Sequence, residues 1–307
     1  MLVALSLFAL AGATIPAWLT AMPFAVSLVF CGMPHGAVDW HINRRVFRAR
    51  STAGALVAFV PYTAVCIACL VLLLIFTRSY LITFFLLSVV HFGRSDARAR
   101  TGLGRPGGFE SLRGSARAST VVLLPFATQP EETTRVLSEL SRAAGGAALI
   151  PPTVTLVFAV LGLGGALFWL LDALRLTVRV WASGMALLFV IVLSHAALPP
   201  LLSVGIWFLL WHALRECVRL GGHDRAPWPS ILHTHRRSLA LMIPTFALIS
   251  LLLVAFDRPV TLLTVALLTI LFYAVFTPAH HTLQEIDAPR ETWPSVATGE
   301  GSSVARV

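Results

Sequence analysis

Lysine is absent from this chain: all 23 of its basic residues are arginine. With no side-chain primary amine, an imine to a bound aldehyde is excluded. Charge of either sign is scarce, at 12% of 307 residues, while 57% are hydrophobic and mean hydropathy is +0.82. That balance excludes a soluble domain and the length excludes a single anchor, leaving a polytopic helical membrane protein. Cysteine is sparse as well, and its four residues (Cys31, Cys66, Cys69, Cys217) all fall inside apolar runs, so no disulfide framework is expected. The Cys66-Ile67-Ala68-Cys69 spacing has no polar flank and reads as small packing residues. No basic segment follows Met1 as it would in a secretory signal, so the first residues read as an uncleaved apolar extension.

What is present is a series of apolar runs, at about 17–38, 53–77, 80–97, 117–129, 150–171, 178–198, 201–220, 239–256 and 259–284. In lipid each must satisfy its own backbone, so each is expected to be a helix. The expected fold is all-α, a transmembrane bundle of about nine spans (eight to ten), with one membrane domain over 1–287 and a disordered tail over 288–307. The run 117–129 is short and holds Pro125. Keeping it as a span puts 19 of the 23 arginines on one side; dropping it scatters them over both. The net charge of +9 is therefore a positive-inside pattern and not a nucleic-acid footprint. It places the Arg-rich loops and the C-terminus in the cytoplasm, across a cell inner or plasma membrane. The Gly- and Arg-rich stretch 98–117 is expected to be a flexible loop.

Histidine and acid interrupt the apolar runs at matched depth. His35 closes the first span in Gly32-Met33-Pro34-His35-Gly36-Ala37-Val38-Asp39, with Pro34 and Gly36 expected to break the helix there. His91 closes the third, ahead of Asp96. His212 lies in the seventh with Glu216 one turn on, and His280-His281 lie near the end of the ninth. All four spans run toward the Arg-rich side, so the histidines meet in one half of the bundle. Intramembrane ionisable residues mark functional sites, and neutral imidazoles from facing helices can hold a metal without adding negative charge. His35, His91 and His212 are candidate ligands. His280 is preferred to His281, since helical neighbours point about 100° apart. Asp39 is expected to orient His35, Asp96 to orient His91, and Glu216 to ligate or to hydrogen-bond. His41, His223, His233 and His235 sit among loop arginines, and His195 beside Pro199-Pro200 reads as a capping or packing residue.

At these residues the chain resembles the Brp/Blh family of integral membrane β-carotene dioxygenases. The matching segments are Gly32–Asp39, His91-Phe92-Gly93 with Asp96, Trp211-His212-Ala213-Leu214-Arg215, and Thr277-Pro278-Ala279-His280. The resemblance implies a non-haem Fe(2+) enzyme that uses O2 to split β-carotene or a related carotenoid into retinal, drawing substrate from the lipid bilayer and able to supply retinal to a rhodopsin. It implies histidine ligands at His35, His91 and His212, with no catalytic residue beyond the metal ligands. The family's second histidine, four residues after His212, is Glu216 here. Either Glu216 completes the ligand set or His280 does; a changed substrate or lost activity is the third possibility. The rival classes are a haem-binding electron carrier with paired histidines and a proton-relaying transporter or accessory protein. No internal inverted repeat supports the transporter.

Overall fold

Proline, more than charge, decides where the apolar runs depart from straight helices. In the computed structural model, which describes residues 2–101, 105–146, 150–222, 226–255 and 261–288 (without the side chains of Arg179, Leu248 and 252–255), every regular element is a helix. The elements are α1 (Leu2–Leu10), α2 (Ala17–Phe30), α3 (Gly32–Ala37), α4 (Asp39–Val46), α5 (Thr52–Ile75), α6 (Thr77–Thr101), α7 (Gly108–Leu123) and α8 (Pro125–Thr128). There follow α9 (Pro130–Ala143), α10 (Pro152–Ala173), α11 (Val178–Ala197), α12 (Pro200–Trp207), a π-helical turn (Phe208–Ala213), α13 (Leu214–Gly221), α14 (Pro227–Ala255) and α15 (Leu262–Asp287). Ser51 and Thr261 cap α5 and α15, their hydroxyls accepting from Gly54 N at 3.0 Å and Thr264 N at 3.1 Å.

Among the described residues, six stretches are long and apolar enough to cross a membrane: Ala17–Val46, Thr52–Ile75, Pro152–Ala173, Val180–Ala197, Pro200–Gly221 and Leu262–Asp287. The count of about nine is not confirmed. The expected span 80–97 lies within α6, whose carboxy-terminal part carries Arg94, Asp96, Arg98 and Arg100. The run 117–129 is divided between α7 and the single turn α8, and 239–256 is the second half of an α14 that begins at Pro227. The flexible loop expected over 98–117 is mostly helix, since α6 runs through Thr101 and α7 starts at Gly108. Residues 102–104, His223 and the tail beyond 288 lie outside the described residues. His233 and His235 are on α14, not in a loop.

Two prolines expose carbonyls that distant side chains then bind. A proline ring displaces the carbonyl four residues earlier and offers it no N–H. Pro34 does this to Phe30, and α2 stops there. The break therefore falls at Cys31 (φ −140°), not at Pro34 or Gly36, and the Phe30 carbonyl accepts from His235 Nε2 at 2.6 Å. Pro278, inside α15, does the same to Ala274, whose carbonyl accepts from Tyr80 Oη at 2.8 Å. Satisfying freed backbone groups in this way is what allows broken helices in an apolar medium.

Small residues allow a close helix approach. A Cβ on Gly93 would lie 2.5 Å from Ser115 N, and one on Gly114 2.0 Å from Gly93 O, so α6 and α7 cross backbone to backbone. That crossing carries α6, and with it His91, into the middle of the bundle.

Candidate metal centre

Four histidines from four different elements meet: His35 on α3, His91 on α6, His212 on the π turn and His280 on α15, each at most 5% exposed. Their ring centroids form a closed cycle. His35 to His212 is 5.3 Å, His212 to His91 5.0 Å, His91 to His280 5.2 Å and His280 to His35 5.3 Å. Imidazoles bound through nitrogens about 2.1 Å from a first-row ion put adjacent ring centres about 4.5–5.3 Å apart, so this cycle is at the wide end of that range. As they stand, no three His, Cys, Asp or Glu among the described residues are arranged to hold a metal ion.

Outward hydrogen bonds fix how three rings face. His35 Nδ1–H donates to the Cys31 carbonyl at 2.7 Å, the group left at the α2–α3 break. His280 Nδ1–H donates to both oxygens of Asp39, at 2.9 and 2.8 Å, and Asp39 also accepts from Tyr62 Oη at 2.8 Å. His91 Nδ1 pairs with His281 Nδ1 at 3.3 Å. Holding Nδ1 leaves Nε2 with its lone pair, and His280 Nε2 is buried without a protein partner. An orphaned acceptor among three other imidazoles suits a metal ligand, because burial without a partner otherwise costs free energy. The π turn widens the helix under His212, and such turns gather at functional sites. His212 Nδ1 is likewise buried without a protein partner.

The cluster lies on the wall of a cavity of about 930 Å³. This is near the upper end of small-molecule sites, at roughly 300–1,000 Å³. Its lining runs from Phe59 to Leu74 along α5 and from Val265 to His280 along α15, about 22 Å in each case at 1.5 Å per residue. Phe84, Phe85, Phe126 and Phe208 form apolar walls, and the amphipathic α9 adds Val136, Leu137 and Leu140. The cavity is long and mostly apolar, with Ser88, Thr133 and Tyr273 among the few polar side chains that line it beside the histidines.

A family model described as beta-carotene 15,15'-dioxygenase matches residues 26–286. The chain belongs to the beta-carotene 15,15'-dioxygenase family. No curated protein matches the chain, and no solved structure does. All four clustered histidines fall inside the family match, as do α5, α6 and all but the last residue of α15, which wall the cavity.

The acidic residues are where this family member departs from the expected arrangement. Asp39 does not orient His35; α3 and α4 turn at Val38, and its carboxylate faces α15 and binds His280. Asp96 does not bind His91. It is buried among Arg100 Nε at 3.0 Å, Arg215 Nη1 at 3.2 Å and Arg117 Nη1 at 3.4 Å. Glu216 is buried, accepting from Ser95 Oγ through one oxygen and from Arg219 Nε through the other, at 2.8 Å. His281 touches the cluster only through His91. His195 is buried elsewhere, with Nδ1 2.9 Å from Ser203 Oγ, and His41 Nε2 donates to the Arg237 carbonyl at 3.0 Å. Sequence reasoning missed Tyr62 and the Cys31 carbonyl. A tyrosine in the apolar α5 was a signal, for all three tyrosines of the chain have a bonded hydroxyl; nothing in the sequence marked the carbonyl.

Proposed function

We propose that this family member is an iron-dependent dioxygenase that cleaves the central double bond of β-carotene with O2, giving two molecules of retinal. The observation that carries the reading is the four-helix histidine cluster on the wall of a long apolar cavity. His35, His91, His212 and His280 would hold the ion. Four neutral imidazoles suit a divalent first-row metal without stacking negative charge in a low-dielectric interior. Iron bound there supplies activation of O2, whose two atoms become the two aldehyde oxygens. Asp39 and the Cys31 carbonyl hold His280 and His35 in one tautomer, with Nε2 available. The phenylalanine walls exclude water and hold a hydrocarbon by contact alone, so position along the cavity selects the bond.

The nine-span topology, with Arg-rich loops and C-terminus cytoplasmic in a cell inner or plasma membrane, belongs to the same reading. Substrate then enters from the bilayer, and a chain without lysine releases retinal, which a rhodopsin could take up. Expression in bacteria that accumulate β-carotene tests the reaction. Loss of orange colour with retinal appearing is expected. Unchanged colour with folded, iron-loaded protein would overturn it, and a Soret band in the purified protein would indicate a haem carrier.

A further inference from the structure

The arginines of this chain are not all matched by acid. Near the end of α6 and on α7 and α13 each has a carboxylate: Arg94 and Arg98 meet Glu285, Arg219 meets Glu216, and Arg100, Arg117 and Arg215 share Asp96. At the end of α4 and on α14 the balance differs. Arg45 bonds Asp287, and Arg237 Nη1 donates to the Leu220 carbonyl at 3.4 Å. Among the described residues no carboxylate pairs with Arg44, Arg48, Arg50 or Arg236. These cations form one patch. His41 Nε2 ties α4 to α14 through the Arg237 carbonyl at 3.0 Å; Arg44 and Arg237 both stand within electrostatic reach of His41, and Arg45 of Arg237. Beyond α4 the chain folds back, Ala49 N donating to the Arg44 carbonyl at 3.0 Å, which keeps Arg48 and Arg50 beside that helix end. Clustered like charges repel one another and attract an outside anion.

The surface around them is apolar. Trp228, Leu232, Arg236, Leu239 and Ile243 follow at helical spacing along one exposed stripe of α14, and Phe47 is exposed next to Arg48. An arginine set in such a stripe extends its side chain to the headgroup level, and its guanidinium fits a phosphate through two parallel N–H groups.

We propose that the face formed by the end of α4 and by α14 binds the phosphate of an anionic membrane lipid, with Arg44, Arg48, Arg50 and Arg236 as its contacts. Basic clusters of roughly four to eight residues beside a spanning helix take up anionic lipid in this way, and α4 closes the stretch Ala17–Val46. A free phosphate would meet the same guanidiniums but gain nothing from Phe47 and Trp228, so the lipid is the occupant. Neither the metal nor the carotenoid enters into this binding.

Titration of phosphatidylglycerol, phosphatidylcholine or inorganic phosphate into the full chain in detergent, read by native mass spectrometry, tests the face. Phosphatidylglycerol should bind about tenfold or more tighter than phosphatidylcholine, a preference that falls as salt rises. Arg44→Gln, Arg48→Gln, Arg50→Gln and Arg236→Gln should each weaken it about fivefold. Arg135→Gln, which removes an exposed charge from α9, should leave it unchanged. Arg48 and Arg50 lie beyond the end of α4, so those two variants decide the matter if the helical ones fail to fold. No preference for phosphatidylglycerol in the wild type, or a full preference in the variants, would overturn the site. Inorganic phosphate that displaces phosphatidylglycerol at equal concentration would overturn the lipid as its occupant.

Discussion

Asp39 shows how much one side chain depends on what faces it. Its carboxylate holds His280 and receives Tyr62, so Asp39→Asn should lower metal affinity about 10–100-fold, by loss of a charge-assisted orienting bond. Tyr62→Phe removes only the hydroxyl and should cost about 1 kcal/mol, read as a smaller drop in the same titration. Glu216 and His280 separate cleanly by experiment. Glu216→Gln breaks a buried pair with Arg219 and should destabilise the protein by on the order of 3 kcal/mol in a thermal melt, at unchanged metal stoichiometry. His280→Ala should do the reverse, losing metal at little cost in melting temperature. Loss of metal in Glu216→Gln with retention in His280→Ala would put Glu216 in the ligand set. The sequence made both residues visible as intramembrane polar groups, yet it could not show that Glu216 accepts from Ser95 and Arg219 while His280 binds Asp39, since Ser95 and Asp39 stand on other helices.

Among the elements, the π turn Phe208–Ala213 departs from the α-helical repeat where it carries His212. Deleting Leu210, an exposed residue of that turn, should restore an α-helical repeat and narrow the wide turn beneath His212, shifting where its ring sits while leaving it on the same face of the helix. Helical circular dichroism should persist while bound metal falls at least tenfold. Gly93→Leu tests the α6–α7 crossing, where even a Cβ would collide with the backbone of Ser115; a loss of about 1–3 kcal/mol in melting stability is expected. The helices themselves were legible as runs of apolar residues. Their ends were less so: α6 and α14 extend well into charged sequence, because Asp96, Arg98 and Ser238 are buried against other helices there and not left to water.

Over the whole molecule, the cavity extends beyond the cluster on its wall, so part of its lining can be disturbed without changing a histidine. Val136 of α9 lines the cavity well away in sequence from every histidine of the cluster. Val136→Phe narrows that end and should reduce kcat/KM for β-carotene about tenfold or more, with Fe(II) content unchanged. Equal loss of iron and turnover would mean that α9 supports the cluster itself and does not simply bound the substrate space.

The sequence by itself determined the class of the molecule, an all-helical chain rich in membrane-spanning length, and which helix ends carry imidazole toward one half of the bundle. Apolar run length and helical period are local properties, so they can be read without knowing neighbours. Only the tertiary structure decided partners: Asp39 with His280, 241 positions apart, in place of His35 four residues away, and Asp96 with three arginines in place of His91. A side chain's own helix fixes the direction in which it points. Which donor stands opposite is set by how other helices pack there, and here the break at Cys31, the proline inside α15 and the π turn shape that packing.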